Sequence, residues 1–490
     1  MIKTYDEYLN SVGEIGYIDS IVHSIAYVTG LPGARTREVV VAQGGQIGIV
    51  QALLPGYVEV LMLSTAGLKN ETPIARTGES FKIAVSKEIL GRVVNPFGAP
   101  IDGAGPIGGE KEFRSIDEPA PALHTRARID QPLETGVQVV DLLVPLGYGQ
   151  RELVIGDRKT GKSIFLLQTV VAQASKGVVC IYVSIGKRQS DIKSVEEYLK
   201  SWSGAFSNCT IVAASSSDPA SMIYLAPFAG FSIAEYFRDR GKNVLIIFDD
   251  LTNHAKFYRE LSLLSKRTPG RSSYPGDIFN LHASMLERAG QIKTERGKVS
   301  ITALPVAESL EGDITGYIQT NLMSITDGHI FFDPEKFREG ARPAINHALS
   351  VSRVGNQTKS PLEKELAQRI REALARYEKD KEIARFGVDL PESTKAEIDT
   401  GEKIELVLNQ DTETLVPATL SLMLMGLLLG DFWKGKRVEQ VKVDLIKITQ
   451  KYQQGKLASL HDSITQITKV DDLIKQMKVY SDKITQVLYE

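Results

Sequence analysis

Eight consecutive residues of this 490-residue chain have the types and spacing needed to grip phosphate: Gly156, Asp157, Arg158, Lys159, Thr160, Gly161, Lys162 and Ser163. They fit the pattern G-x-x-x-x-G-K-[ST]. Glycines let backbone N–H groups turn inward around phosphate oxygens. A helix starting at the end of such a loop adds favourable partial charge. Lys162 would reach the β/γ-phosphates, and the Ser163 hydroxyl would bind Mg²⁺. An ordinary glycine turn does not explain a lysine placed there. A second element has matching chemistry. Val244 to Phe248 is an apolar run that ends in Asp249 and Asp250. A carboxylate at the C-terminal edge of a sheet can hold the Mg²⁺ shell through water. Asp249 is the candidate, and Asp250 is better suited to cap or orient the next segment.

These residues need a strand before the loop and a helix after it. Leu153-Val-Ile reads as a buried strand, and Ile164 to Ala174 is helix-like. Further apolar runs at Val178 to Ile185, Thr210 to Ala214 and Val244 to Phe248 read as buried parallel strands. Helical candidates alternate with them, which argues for an α/β domain with a parallel sheet. Upstream, short glycine-punctuated segments from Gly13 read as β: Ile47 to Leu54, then Val58 to Leu63, with a Pro55-Gly56 turn between them. They suit a small barrel or sandwich. Glycine and proline are dense from Pro96 to Pro121 and read as loops at a domain junction. After about Gly355 strand signals nearly vanish. Ser360-Pro361-Leu-Glu363 is a helix start, with Ser as N-cap, Pro first and Glu three after the cap. Leu362, Leu366, Ile370, Leu374 and Tyr377 then share one helical face.

The expected fold is therefore multidomain α/β. An N-terminal β-barrel spans 1–78, a central phosphate-loop α/β domain with a parallel sheet spans 79–357, and a helical domain spans 358–490.

Composition narrows the function. There are 58 basic and 60 acidic residues and a formal charge of −2. No basic excess marks a nucleic-acid binder. Cys180 and Cys209 are the two cysteines. They have no metal-site spacing, and Cys180 lies in an apolar run that suits a buried thiol. The most apolar stretch, Ala418 to Gly430, is shorter than the roughly 20 residues a membrane helix needs and reads as a buried core helix. Met1 to Ser11 shows no apolar signal region. Any membrane link would pass through partners.

With these motifs in place, a family resemblance emerges. Gly149-Gln-Arg-Glu-Leu followed by the phosphate loop resembles the α-subunit family of F-type ATP synthases. So do Gly91-Arg-Val-Val-Asn-Pro-Phe-Gly98, Glu235-Tyr-Phe-Arg-Asp239, Pro269-Gly-Arg271, Tyr274-Pro-Gly-Asp277 and Leu281 to Arg288. The match resumes at Ser324-Ile-Thr-Asp-Gly328, Arg342-Pro-Ala-Ile-Asn346 and Ser350-Val-Ser-Arg-Val-Gly355, and runs past Gly387-Val-Asp-Leu390. It weakens over the last hundred or so residues.

The resemblance implies three α and three β subunits alternating around a γ shaft. Each chain would have a barrel crown, a RecA-like nucleotide domain and a helical domain. It implies ATP or ADP with Mg²⁺ as ligands, and β, γ, the δ/peripheral stalk, ε and the membrane Fo sector as partners. The complex would lie on the inner face of an energy-transducing membrane, the cytoplasmic side of a bacterial plasma membrane.

Hydrolysis needs a group that orients the attacking water. The family's β subunit uses a Glu just after a strand-end glycine. Here Lys187 stands there, in Val183-Ser-Ile-Gly-Lys187-Arg. A lysine, with an ordinary pKa of about 10.4, is a poor base at neutral pH. The chain's own site would bind Mg-ATP without turning it over. Typical α subunits carry Gln at this position and at Lys159, so both lysines depart from the pattern and add positive charge.

Other roles follow from the same likeness. Arg353 would be an arginine finger for the neighbouring β subunit's catalytic site, with Ser324 a second residue at that interface. Arg342 and Pro343 would line the adenine pocket, with Gln410 as a third member. Pro269 to Asp277 would form the sleeve around γ. Only about a dozen residues precede Gly13-Glu-Ile-Gly, room for about three helical turns, so stalk attachment would be reduced or organised differently.

Three rival readings remain. A secretion- or flagellum-type ATPase would need Glu at position 187. A Rho-type RNA translocase would need a basic, aromatic N-terminal domain. A related subunit of a specialised ATPase machine is the third.

Overall fold

The computed structural model describes residues 3–295, 297–385 and 391–489. The Gly387-Val-Asp-Leu390 match lies outside them. Two compact units emerge from the contacts. The first comprises Met1–Arg128, Gly149–Ile155 and Ala174–Asp327; the second comprises Ile129–Tyr148, Gly156–Gln173 and Gly328–Glu490.

The first unit begins with a short helix, Tyr5–Val12, about two turns long rather than three, with a Thr4/Glu7 capping box. Six antiparallel strands then close into a barrel in the order β1-β2-β5-β4-β3-β6. They are β1 (Ile15–Val22), β2 (Ile25–Thr29), β3 (Glu38–Ala42), β4 (Ile47–Leu54), β5 (Tyr57–Met62) and β6 (Pro73–Ser80). Ile18, Val28, Val40, Val50, Val60 and Ile74 fill its interior. Closure leaves no edge to protect. Arg76, on β6, is tied to Glu38 at 2.9 Å and Glu14 at 2.8 Å.

The same unit carries the expected parallel sheet. Its strands lie in the order Val93–Val94, Cys209–Ser215, Val179–Lys187, Val244–Asp249, Gly297–Glu308, Glu152–Gly156. All six are almost entirely buried, as runs rich in Val, Ile and Leu require. The Gly297–Glu308 strand was not anticipated; Gly290–Thr294 pairs with it antiparallel. The proline-rich stretch also holds more order than loops: Glu112–Ser115 pairs with Lys82–Val85. Cys180 and Cys209 are buried free thiols on adjacent strands.

Two neutral histidines are packed into this unit. His254 Nδ1 lies 3.0 Å from His282 Nε2, and His254 Nε2 donates to the Tyr224 carbonyl at 3.0 Å. Burial pushes His254 down to about 4, from an ordinary 6.5. Burial and the neighbouring His254 push His282 well down too. Below pH 6.5 the unfolded chain binds protons that the folded chain refuses, so stability falls as pH falls toward 4. The expected slope is on the order of 1 kcal/mol per pH unit for each group. Thermal midpoints at pH 7 and pH 5 should differ less in His282→Asn than in the wild type; equal differences would refute the assignment.

The second unit is mainly helical. Gly328–Phe332 pairs antiparallel with Val351–Ser352, and among the described residues no strand follows Ser352. The long helix Pro361–Arg385 starts as its sequence predicts: Ser360 N and Oγ donate to Glu363 at 2.9 and 2.8 Å, and Glu363 N donates to Ser360 Oγ at 3.3 Å. Leu362, Leu366, Ile370, Leu374 and Tyr377 are all buried. Ala418–Leu429 is a buried helix on all faces along most of its length. Among the described residues no helix is long and apolar enough to cross a membrane.

Candidate nucleotide site

The loop follows the strand Glu152–Gly156 and runs into the helix Lys162–Ala174. Gly156 has no room for a side chain. A Cβ there would meet the Phe332 carbonyl oxygen at 2.5 Å. Lys159 and Gly161 take positive φ, 64° and 100°, which turns the chain over itself. Thr160 Oγ1 donates to the Asp157 carbonyl at 2.7 Å and staples the turn. The Lys162 ammonium lies over the loop, donating to the Gly156 carbonyl at 2.7 Å and the Asp157 carbonyl at 2.5 Å. Arg158, Lys159 and Ser163 are exposed. A buried ammonium and a helix N-terminus at one loop make a strong anion-binding arrangement.

The helix after the loop is tied by Gln168 to the segment 411–414. Its Nε2 donates to the carbonyls of Asp411, Thr412 and Thr414 at 3.3, 3.1 and 3.3 Å. Gln410 directly precedes that segment. Its N–H donates to the Arg342 carbonyl at 2.7 Å. Arg342 lies 3.8 Å over the Phe337 ring and donates to the Phe337 and Ala341 carbonyls. Arg342 and Gln410 are thus backbone neighbours, with Pro343 next in the chain. The Gln410 side chain is itself engaged. It accepts from Gln138 N at 3.0 Å and donates to the Gly136 and Thr414 carbonyls at 2.7 and 2.5 Å. It therefore braces the backbone. Gln168 and Asn409, whose Oδ1 accepts from Arg342 N at 3.2 Å, were missed by sequence reasoning. Neither falls in a recognisable motif.

Asp249 and Lys187 end neighbouring parallel strands, at the edge where α/β sheets bind ligands. Gly186 has φ 62°, and the register slips between Ile185 and Lys187, so the strand bulges and re-aims the lysine. Lys187 Nζ lies 2.9 Å from Asp249 Oδ1 and 2.9 Å from Asp250 Oδ2. Asp249 Oδ2 accepts from the Tyr182 hydroxyl at 2.7 Å. Asp250 caps the following helix, as its sequence position suggests, accepting from Asn253 N at 2.6 Å. Burial alone would pull the Lys187 ammonium down, but Asp249 and Asp250 overturn that and hold it above the ordinary lysine value. Burial raises the Asp250 carboxyl, against the pull of Lys187. Burial, then Asp249, keeps the Tyr182 phenol protonated.

Arg353 is exposed, on a turn that is otherwise fixed. Ser352 pairs with Gly328, and its hydroxyl donates to the Pro145 carbonyl at 2.6 Å. A Cβ on Gly355 would fall 1.7 Å from that same carbonyl. Burial, with the Leu349 carbonyl opposing and Arg353 adding, lowers His329 and keeps it neutral. Ser324 is exposed on the last turn of the helix Tyr317–Ile325 and donates to the Asn321 carbonyl at 2.7 Å. The Pro269–Asp277 loop is braced by a Gly270 N to Tyr274 carbonyl bond of 2.8 Å and a Tyr258 hydroxyl to Asp277 bond of 2.7 Å.

Residues 136–352 match the profile of the ATP synthase alpha/beta family, nucleotide-binding domain. Residues 357–485 match the ATP synthase alpha/beta chain, C terminal domain. The chain is 41% identical over 433 residues to "ATP synthase subunit alpha" of Neorickettsia sennetsu, covering 86% of this chain and 84% of that one. It is 43% identical to the protein of that name from Macrococcus caseolyticus, over 84% and 81% of the two chains. For the Staphylococcus aureus protein the figures are 42%, 85% and 82%. The phosphate loop, the parallel sheet and these matches along most of the chain agree: it belongs to the ATP synthase alpha/beta family, on the side of the alpha subunits.

Proposed function

We propose that this chain binds ATP or ADP at Gly156 to Ser163 without turning it over, and that it assists catalysis on a neighbouring β subunit. The observation that carries the non-catalytic reading is Lys187. It occupies the position where a water-activating carboxylate is needed, and two carboxylates hold it charged. Asp157, Arg158, Lys159 and Thr160 supply the loop backbone, and Lys162 supplies the cation for the phosphates. Arg342, Pro343 and Gln410 form the base side. In the ordinary form of such a site Ser163 binds Mg²⁺ and Asp249 holds it through water, and the metal would screen phosphate charge.

Arg353 is the finger for the β-subunit site, and Ser324 accompanies it at that interface. The exposed guanidinium on a pinned turn supports this, because a finger must project without moving its base. The chain would work within an α/β hexamer around γ, with the δ/peripheral stalk, ε and the proton- or sodium-conducting Fo sector beyond. It would sit on the cytoplasmic face of a bacterial plasma membrane. Rotation of γ would open and close each interface, withdrawing and inserting Arg353. The division into 1–78, 79–357 and 358–490 serves as crown, nucleotide domain and helical domain.

The purified full chain is expected to bind ATP yet show no turnover above background. Lys162→Ala should weaken binding by about a hundredfold. Steady hydrolysis by the chain alone would overturn the non-catalytic reading, and unchanged binding by Lys162→Ala would overturn the loop assignment.

A further inference from the structure

The donors around Asp249 do not fit a Mg²⁺ site. Magnesium demands near-octahedral oxygen ligation and usually keeps several waters, which hydrogen-bond outward to carboxylates. Here each Asp249 oxygen already has a partner: Lys187 Nζ on Oδ1 and the Tyr182 hydroxyl on Oδ2. Both partners donate to it, and the ammonium has no lone pair to offer a cation. The Lys187 ammonium stands 2.9 Å from Asp249, already balances that carboxylate's charge, and repels a second cation. Its position is built in. The bulge at Gly186 aims it, and Lys187 O accepts from Ser216 N at 2.8 Å. Asp250 holds it from the other side with a carboxylate that is 0% exposed and has no solvent to fall back on.

We infer that Lys187 is the resident counter-cation of Asp249 in place of Mg²⁺, and that nucleotide binding by this chain is consequently independent of divalent metal. This rests on the reading of Gly156 to Ser163 as a nucleotide loop. It deepens that reading by naming the ligand as metal-free ATP or ADP as readily as the magnesium complex. Lys187 acts here as a positioning and charge-balancing residue.

The test is equilibrium binding of ATP to the full chain by calorimetry, once in excess EDTA and once in millimolar MgCl₂. The wild-type dissociation constants should agree within about threefold, whereas Lys187→Gln, which frees the Asp249 oxygen, should gain about tenfold or more from magnesium. Lys187→Arg keeps the charge and should behave as the wild type. It guards against a Gln variant that fails to fold, since an uncompensated Asp250 is destabilising. A wild-type chain that binds ATP about tenfold tighter with magnesium overturns the inference and leaves the ATP site standing. A chain that binds ATP in neither buffer overturns both the inference and the loop assignment.

Discussion

Replacing Arg353 with alanine is expected to lower ATP turnover of the assembled complex by about 10³-fold or more, within the range that arginine fingers contribute. The size follows from what the side chain would do. It adds a fixed positive charge and a planar fork to a phosphoryl group whose negative charge is spreading over three oxygens. Alanine removes both. Lysine restores the charge without the fork and should recover only part of the rate. The turn itself should survive, because its anchors are Ser352, Gly355 and Pro145 rather than the guanidinium. ATP binding to the chain's own site should therefore be unchanged in the alanine variant, which separates a lost finger from a misfolded subunit. Turnover within a few-fold of wild type would falsify the assignment.

The second large effect concerns folding. Arg288 is 3% exposed and bonds Glu235 through Nε at 3.0 Å and Nη2 at 2.7 Å. Its Nη1 donates to the Ile116 carbonyl at 2.7 Å, and the guanidinium lies 5.1 Å over Phe231. Removing Arg288 would take both hydrogen bonds from a carboxylate that is 1% exposed and leave it facing Arg238 Nη1 at 4.0 Å. Arg288→Met is expected to cost about 3–5 kcal/mol. Glu235→Gln with Arg288→Met should recover much of this, because the buried carboxylate that lost its hydrogen bonds is then gone and Arg238 keeps Asp239 at 2.8 Å. Urea unfolding of the two variants and the wild type measures the effect. A single-variant loss below about 1 kcal/mol, the value of an exposed pair, would contradict it.

Glu235 and Arg288 also show what a sequence hides. Each sits in a motif legible as family resemblance, yet nothing along the chain says that those motifs exist to meet. The strands at Leu153, Val179, Cys209 and Val244 were readable because each is a continuous apolar run buried on both faces. Gly297–Glu308 escaped because it opens with an exposed Gly-Lys pair and carries Pro305. The short strands of the barrel, the Ser360 cap and the phosphate loop are local patterns and could be read directly. Register is not local. Ser184 pairs with Asp249, and only that pairing, with the bulge that follows it, brings Lys187 to the acids. From the sequence Lys187 was a missing base with an extra charge. In the fold it is the partner of two carboxylates.

That partnership limits how the chain can change. Asp250 both starts the helix Leu251–Leu264 and balances Lys187. Installing a glutamate at position 187 would not simply supply the absent base. It would crowd three carboxylates together, leave the fully buried Asp250 without its cation, and drive a proton onto one of them. The single substitution that looks like a route to independent hydrolysis is therefore a dead end in this background. An autonomous enzyme would need at least one compensating change among Tyr182, Asp249 and Asp250.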